Sequence, residues 1–309
     1  MLKCDLCNGK AVIYQRHSNR HLCKKHFIRD FEKRVKYAVN KYKMIEKNDK
    51  IAIALSGGKD SVVLAYVLKK LYGKRRDLEF VAITIDEGIE GYRPPTVKIA
   101  KEVTKMLEIE HYIVSFKENF GLTLDEMVKI GDKKPCSYCG VFRKYLLNKT
   151  ARELNATKLA TGHNLDDETQ TIMLNYVHGD IERLARLIPQ RIQENLILRI
   201  KPMREIYEKE VVIYGLLHNL PQDMDECPYS YFPVRAAIRD FLYEFENKYP
   251  GRKFSIMRGF ENLIPCLKQL YPQIKLNKCK KCGEPTSKDI CQACVLLEEL
   301  KAKMEVKNT

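Results

Sequence analysis

Residues 50 to 61, KIAIALSGGKDS, constrain this chain more than any other stretch. An apolar run ends in Ser56-Gly57-Gly58, and VVLAYVLKKLY then carries apolar residues at helical spacing. Strand, glycine turn and helix in that order form a phosphate-binding architecture. The helix N-terminus leaves backbone N–H groups without intrahelical acceptors, and glycine lets an anion approach them. Lys59 adds a charge and Ser61 a hydroxyl. The loop is not a Walker A, which requires G-x-x-x-x-G-K-[ST].

The flanking sequence predicts a sheet for this loop to sit on. EFVAITID (79 to 86) and HYIVSF (111 to 116) read as buried strands, separated by helical patterns such as PPTVKIAKEVTKML. A further strand, TKLATG (157 to 162), runs into HNLDDETQTIMLNYVHG, whose apolar positions recur at helical spacing. Strands alternating with helices predict an α/β fold with a doubly wound parallel sheet. Gly162 and Asp167 then lie at the carboxyl edge of that sheet, where such folds bind ligands. His163, Asp166 and Asp167 also fit a plain helix start, since Asp is favoured near the positive end of a helix dipole, and for Asp166 that reading is preferred.

Composition narrows the partners. With 55 Lys and Arg against 40 Asp and Glu, the chain carries a formal charge of +15, so an acidic partner is expected, nucleic acid first. Basic residues concentrate in residues 33 to 43 and in GKRR at 73 to 76, and Arg235 and Arg239 share a predicted helical face. Charged faces of this kind are usually just solvated, so the summed field is the stronger indication. No run approaches the roughly 18 apolar residues of a membrane span, and MLKCDLCNGK lacks the apolar core of a signal peptide. A cytoplasmic chain without a membrane partner is expected.

In a reducing compartment eleven cysteines point to metal ligation rather than to disulfides. Cys4-x-x-Cys7 and Cys23-x-x-His26 make a Cys3His set, and Cys279-x-x-Cys282 with Cys291-x-x-Cys294 makes a Cys4 set. Tetrahedral zinc takes such ligands, and two intervening residues let one tight turn aim both side chains at one ion. Asn8 and Gly9 are expected to turn the first pair through positive φ. Two closed structural zinc sites are expected, with no open position for chemistry. Cys136, Cys139, Cys227 and Cys266 remain, and Cys266, in NLIPCLKQLY, fits a buried helix position.

Ser56-Gly57-Gly58-Lys59-Asp60-Ser61 resembles the signature of the PP-loop ATP pyrophosphatases, which split ATP between its α and β phosphates to leave an adenylated substrate. TGHNLDDETQT resembles the second signature of the tRNA-modifying members, in which the last aspartate of the pair, here Asp167, works at the adenylation site. The order of the Cys3His set, SGGKDS, KPCSYCGVF, GHNLDD, DECPYS and the Cys4 set resembles the tRNA 2-thiouridine synthetases of the TtuA and NcsA family along nearly the whole chain. That resemblance implies residues 1–30 and 276–309 as zinc modules around a catalytic domain at 31–275 with a helical C-terminal part.

The resemblance also implies a reaction. The C2 oxygen of a tRNA uridine attacks the α-phosphorus of ATP, pyrophosphate departs, and AMP leaves when sulfur attacks C2. Loop amides and Mg2+ would stabilise the leaving pyrophosphate. An ATP pocket is implied at Ala54, Leu55, Ser56, Gly57, Gly58, Lys59, Asp60, Ser61, Ile85, Arg143, Gly162 and Asp167, with Asp60, Arg143 and Asp167 joined by Cys136, Cys139 and Cys227 in catalysis. Some members have lysine at the position of Arg143; either is cationic, but Arg is a fork and Lys a point charge.

By the same resemblance Cys136, Cys139 and Cys227 hold a 4Fe-4S cluster whose open iron delivers hydrosulfide. A rival scheme uses the same thiols without iron, one carrying a persulfide and another resolving it as a disulfide. A third zinc with a non-cysteine fourth ligand is a further account of Cys136 and Cys139. The family divides by target, the wobble uridine 34 or uridine 54 of the thymine loop, and likeness to archaeal and eukaryotic members, with FPVRAAIRDFL after Cys227, favours 34. The implied sulfur donor is sulfide or a ubiquitin-like thiocarboxylate carrier, and the implied assembly a homodimer. The competing class is a non-catalytic zinc protein that only binds RNA.

Overall fold

The computed structural model describes residues 2–187, 196–230, 233–272 and 275–307; Phe232, in the stretch after Cys227, lies outside them. The chain opens with an antiparallel hairpin, β1 (Ala11–Gln15) and β2 (Arg20–Cys23), followed by α1 (Lys24–Lys41). This helix carries His26 and continues without a break past residue 30. The central unit then runs β3 (Lys50–Ala54), α2 (Lys59–Tyr72), β4 (Glu79–Asp86), α3 (Arg93–Leu107), β5 (Glu110–Ser115), α4 (Phe116–Phe120), α5 (Leu124–Ile130), α6 (Pro135–Glu153), β6 (Lys158–Ala160), α7 (Leu165–Val177), α8 (Ile181–Ala185), β7 (Leu198–Ile200) and α9 (Glu208–Leu217). Two long helices, α10 (Pro233–Lys248) and α11 (Arg252–Leu270), lead to a short hairpin of β8 (Asn277–Lys278) and β9 (Pro285–Thr286) and a last helix, α12 (Gln292–Lys307).

Strands β3 to β7 form one parallel sheet in the order β5-β4-β3-β6-β7. The chain builds outward from β3 to β5, then returns to the other side of β3, so the direction of winding switches between β3 and β6. Alternation along β3 sends Ile51 and Ile53 to one face and Ala52 to the other. The first face is covered by α1, α2, α3 and α9, through residues such as Phe31, Val63, Val103 and Tyr214. The second is covered by α4, α5, α6 and α12, through Phe116, Met127, Phe142 and Leu296. A third cluster joins α7 and α8 to α11.

The chain ends are built into these cores. Cys4, Ile13, Leu22 and Cys23 belong to the first, and Cys279, Cys291, Ala293 and Leu300 to the second. Three features depart from the sequence reading. Strand β7 has only three residues, LRI, too few for an alternation to be visible. Cys266 is exposed, because α11 buries Met257, Phe260 and Leu267, and the residue before Leu267 is turned about 100° away from that stripe. Neither Asn8 nor Gly9 has positive φ. Gly9 instead donates its N–H to Cys7 Sγ at 3.4 Å, and a Cβ there would make ordinary contact with Cys7 and Cys23.

Candidate active site at the switch point of the sheet

The SGGKDS loop leaves β3 and enters α2 at the carboxyl edge, beside the loop that follows β6. Gly57 takes φ +90°, and a Cβ there would stand 2.1 Å from the Thr96 carbonyl oxygen on α3. The Ser61 hydroxyl donates to the Gly58 carbonyl at 2.9 Å and accepts the Ser56 N–H at 3.0 Å, so it braces the loop from within. Leu55 is tied to β4, its N–H donating to Ile83 O at 2.9 Å and its carbonyl accepting from Thr84 Oγ1 at 2.6 Å. Ala54 ends β3, and Ile85 lies buried at the end of β4.

Across the switch point, Gly162 packs on the start of α2. A Cβ there would meet the Asp60 carbonyl carbon at 2.9 Å, so a larger residue would push the two loops apart. Asn164 caps α7 in a reciprocal box with Asp167, and its side-chain amide donates to Asp60 Oδ1 at 2.9 Å. Two carboxylates therefore flank one asparagine. Burial pushes the Asp167 carboxyl up to about 6, the Asn164 N–H opposes this, and nearby Asp60 adds to it. Burial also raises Asp60, against Lys59. Lys59 pairs with Asp60 at 3.2 Å and Glu208 at 2.9 Å, and those charges outweigh burial to raise its own pKa. Close carboxylates with raised pKa values suit a divalent cation, which would relieve their repulsion. Asp166, by contrast, is structural: it accepts the Glu208 N–H at 2.8 Å and pairs with Lys253.

Asp167 gives a signed pH prediction. Between its ordinary 3.8 and about 6, the unfolded chain ionises this group while the folded protein keeps the proton. Wild-type stability therefore falls as pH rises through that window, and the penalty is complete above it. The Asp167→Asn variant lacks the penalty, so it should melt higher than wild type at pH 7 and no higher at pH 3.5, as read by thermal scans at both pH values.

Cys136 and Cys139 lie in the first turns of α6, three residues apart on one face, with Arg143 a turn further on. The helix dipole at that end favours negative sulfur. The Cys136 thiol donates to the Tyr229 carbonyl at 3.2 Å, and Tyr229 donates its hydroxyl to Asp125 on α5 at 2.8 Å, which brings the segment of Cys227 against the two thiols. Burial pushes Cys139 up to about 12, opposed by Arg143. It also raises Cys136, with Cys227 adding to the effect, and Cys227 itself.

Glu87 and Arg93 connect the two halves, and no signal in the sequence marks either. Arg93 is buried in the first turn of α3 and pairs through Nε with Glu87 at 2.7 Å. It also donates to the carbonyls of Ser56, at 3.1 Å, and Ile85. Glu87 in turn faces Arg143 at 3.8 Å. Removing one partner of a buried pair strands the other, so Arg93→Ala should cost about 3–5 kcal/mol in denaturant unfolding. A Glu87→Gln, Arg93→Met double change should cost less than that single change.

Both terminal quartets are assembled. Among the described residues they are the groups of potential ligands whose atoms all lie within 4.8 Å of one another, a closeness that the three central thiols do not share. In the first, Cys4 and Cys23 Sγ stand 3.3 and 3.4 Å from His26 Nδ1, and Cys7 stands 3.7 Å from Cys23. In the second, Cys279–Cys294 and Cys282–Cys291 are 3.9 and 3.6 Å apart. A tetrahedron with arms of about 2.3 Å has edges of about 3.8 Å, so both sets fit zinc. Burial would raise Cys4 and Cys279, but backbone N–H groups, from Cys23 and Leu6 for the one and Cys291 and Cys282 for the other, hold each at about 6.

Fold and site define a PP-loop protein. Residues 27–245 match the model of the PP-loop domain, residues 3–28 that of the 2-thiouridine synthetase TtuA N-terminal LIM domain, and residues 277–304 that of a zinc-ribbon. The chain is 39% identical to the tRNA 2-thiolation protein NcsA of Haloferax volcanii, over 97% of this chain and 100% of that protein. It is 37% identical to the tRNA-5-methyluridine(54) 2-sulfurtransferase of Pyrococcus horikoshii, over 95% and 93%. A solved structure, the U34-tRNA thiolase NcsA from Methanococcus maripaludis with its [4Fe-4S] cluster, superposes with a TM-score of 0.86 at 35% identity over 97% of both chains. The chain belongs to the TtuA/NcsA family.

Proposed function

We propose that this protein is an ATP-dependent tRNA-uridine 2-sulfurtransferase. The observation that carries this reading is the convergence, at one sheet edge, of the SGGKDS loop, the Asp60–Asn164–Asp167 carboxylates and three thiols, linked through Arg93 and Glu87. The Gly57 amide, at the turn before α2, would receive an ATP phosphate while the Ser56 and Lys59 amides hold the loop to Ser61 and Asp223, and the Lys59 side chain would exchange a carboxylate for phosphate. Asp60 and Asp167 would hold Mg2+, Ala54, Leu55, Ile85 and Gly162 would line the nucleotide, and Ser61 would keep the loop in shape. Arg143 would meet negative charge between the two centres.

A 4Fe-4S cluster fits the three central thiols: they lie within electrostatic reach of one another, yet they do not close to the spacing of a single ion. When bound, it supplies sulfur as a nucleophile beside the activated C2. Likeness to the solved thiolase with its [4Fe-4S] cluster favours this account over a persulfide carried by a free cysteine. The two quartets we read as zinc sites that fix the ends of the chain. Uridine 34 is the preferred target, in keeping with likeness to two proteins whose names specify NcsA, one of them a U34 thiolase.

The described residues include no helix long and apolar enough to cross a membrane. The test is reconstitution with iron, ATP, Mg2+, sulfide and unmodified tRNA. AMP, pyrophosphate and 2-thiouridine should appear together. Tight RNA binding without any turnover would favour a non-catalytic zinc protein, and sequencing tRNA from a deletion strain reads the position.

A further inference from the structure

Several basic residues of the stretches prominent in the sequence already have partners. Arg34 pairs with Asp30 at 3.0 Å and Glu210 at 2.8 Å, Lys41 with Glu205 and Glu261, and Arg75 with Asp77. Lys144 and Arg199 differ: among the described residues the side chain of neither has a hydrogen bond or an ion pair. Both line a cleft of ≈ 640 Å³ walled by Lys144 and Asn148 from α6, Thr171 and Asn175 from α7, and Arg199 and Lys201 at β7. That volume is in the range of about 300–1,000 Å³ typical of ligand sites. The one acidic residue of its lining, Glu168, is committed to Lys201 and, at 3.3 Å, to Arg204.

Among the described residues the cleft therefore holds positive charge with no uncommitted anion in its lining. Enclosure by protein lowers the Lys144 pKa, and so do Arg199, Arg143, Arg183 and Lys201 around it. An anion seated among them would reverse each of those repulsions. Its position ties the cleft to the reaction centre. On α7, Thr171 lies one turn beyond Asp167, and its hydroxyl donates to the Asp167 carbonyl at 2.7 Å. On α6, Lys144 follows Arg143. Thr161 and His163, on either side of Gly162, also line the cleft, so it adjoins the loop after β6, although Asp167 and Arg143 themselves do not line it.

We infer that this cleft receives the phosphodiester backbone of tRNA on the two sides of the target uridine, Lys144 and Arg199 each neutralising a phosphate, so that the base is presented at Asp167 and Arg143. This rests on the tRNA reading above and adds the surface that orients the substrate. Arg183, at the rim, is paired with Asp180 at 3.1 Å and serves as outer wall rather than as an anchor. The ATP phosphates have their own cradle at SGGKDS, none of whose residues lines the cleft, so the two anions occupy separate sites.

The test is the affinity of an unmodified tRNA transcript for the intact protein across a series of KCl concentrations. In Lys144→Ala, Arg199→Ala, binding should weaken at least ~10-fold near physiological salt. The slope of log K against log[KCl] should shrink by about 1.4–1.8, the release expected for two phosphate contacts. Affinity for ATP and the content of bound iron should stay at wild-type values, and Lys144→Arg, Arg199→Lys should keep most of the slope. Should the double alanine variant aggregate, Arg199→Ala alone should lose about half as much slope. Unchanged tRNA affinity and slope would overturn the inference and leave the proposed function standing. Weakened ATP binding with unchanged tRNA binding would overturn it too, assigning the cleft to nucleotide phosphates. Wild-type protein that binds no tRNA would overturn both.

Discussion

Cys227→Ala, purified without oxygen, should carry almost no iron where wild type carries about four atoms per chain, and should form no 2-thiouridine. A cluster with three protein ligands has none to spare, so loss of one is close to loss of the whole, whereas a closed zinc quartet elsewhere is untouched. ATP affinity should survive, because Cys227 makes no bond to the SGGKDS loop; the same variant therefore separates the two centres. Iron and zinc analysis on one sample, with an ATP titration on another, reads all three. Full thiolation by iron-free wild type would instead favour persulfide chemistry. Wild-type iron in Cys227→Ala would remove this residue from the ligand set.

How much of this was legible depends on the length scale at which each feature is encoded. The sheet, its parallel sense and the loop after β3 follow from patterns within about 15 residues, and the quartets follow from Cys-x-x-Cys spacing. Gly162 and Asp167 could be placed at the carboxyl edge from the parallel order of the strands, but the pairing of β3 with β6, which sets them beside the SGGKDS loop, comes only with the fold. Arg93 and Glu87 were silent. An arginine in a helix beginning RPPTVK and a glutamate after a strand look solvated, and only the fold reveals that both are buried against each other. The cleft at Lys144 and Arg199 was equally hidden, since neither lies in a basic run. Cys266 failed for a different reason: an amphipathic stripe read from apolar residues alone is uncertain by one position, and one position in a helix is about 100°.

Gly57→Ala should abolish productive ATP binding, with an affinity loss on the order of 100-fold or more, about 2.7 kcal/mol. A left-handed conformation costs an alanine roughly 1–2 kcal/mol. The larger obstacle is the Thr96 carbonyl oxygen, 2.1 Å from the added Cβ and fixed in the backbone of α3, so the loop rather than the helix must move. That movement has a second address. The Asp223 N–H donates to Gly57 O at 3.1 Å and the Lys59 N–H to Asp223 O at 3.2 Å, so residue 223 is laid beside the loop as a short parallel bridge. Four residues span at most about 14 Å, which tethers Cys227 to the same bridge. Gly57→Ala should therefore also lose iron on dilution faster than wild type, where Cys227→Ala loses iron alone. Retention of wild-type iron with lost ATP affinity would show that the bridge transmits nothing, and that the two centres are neighbours without being coupled.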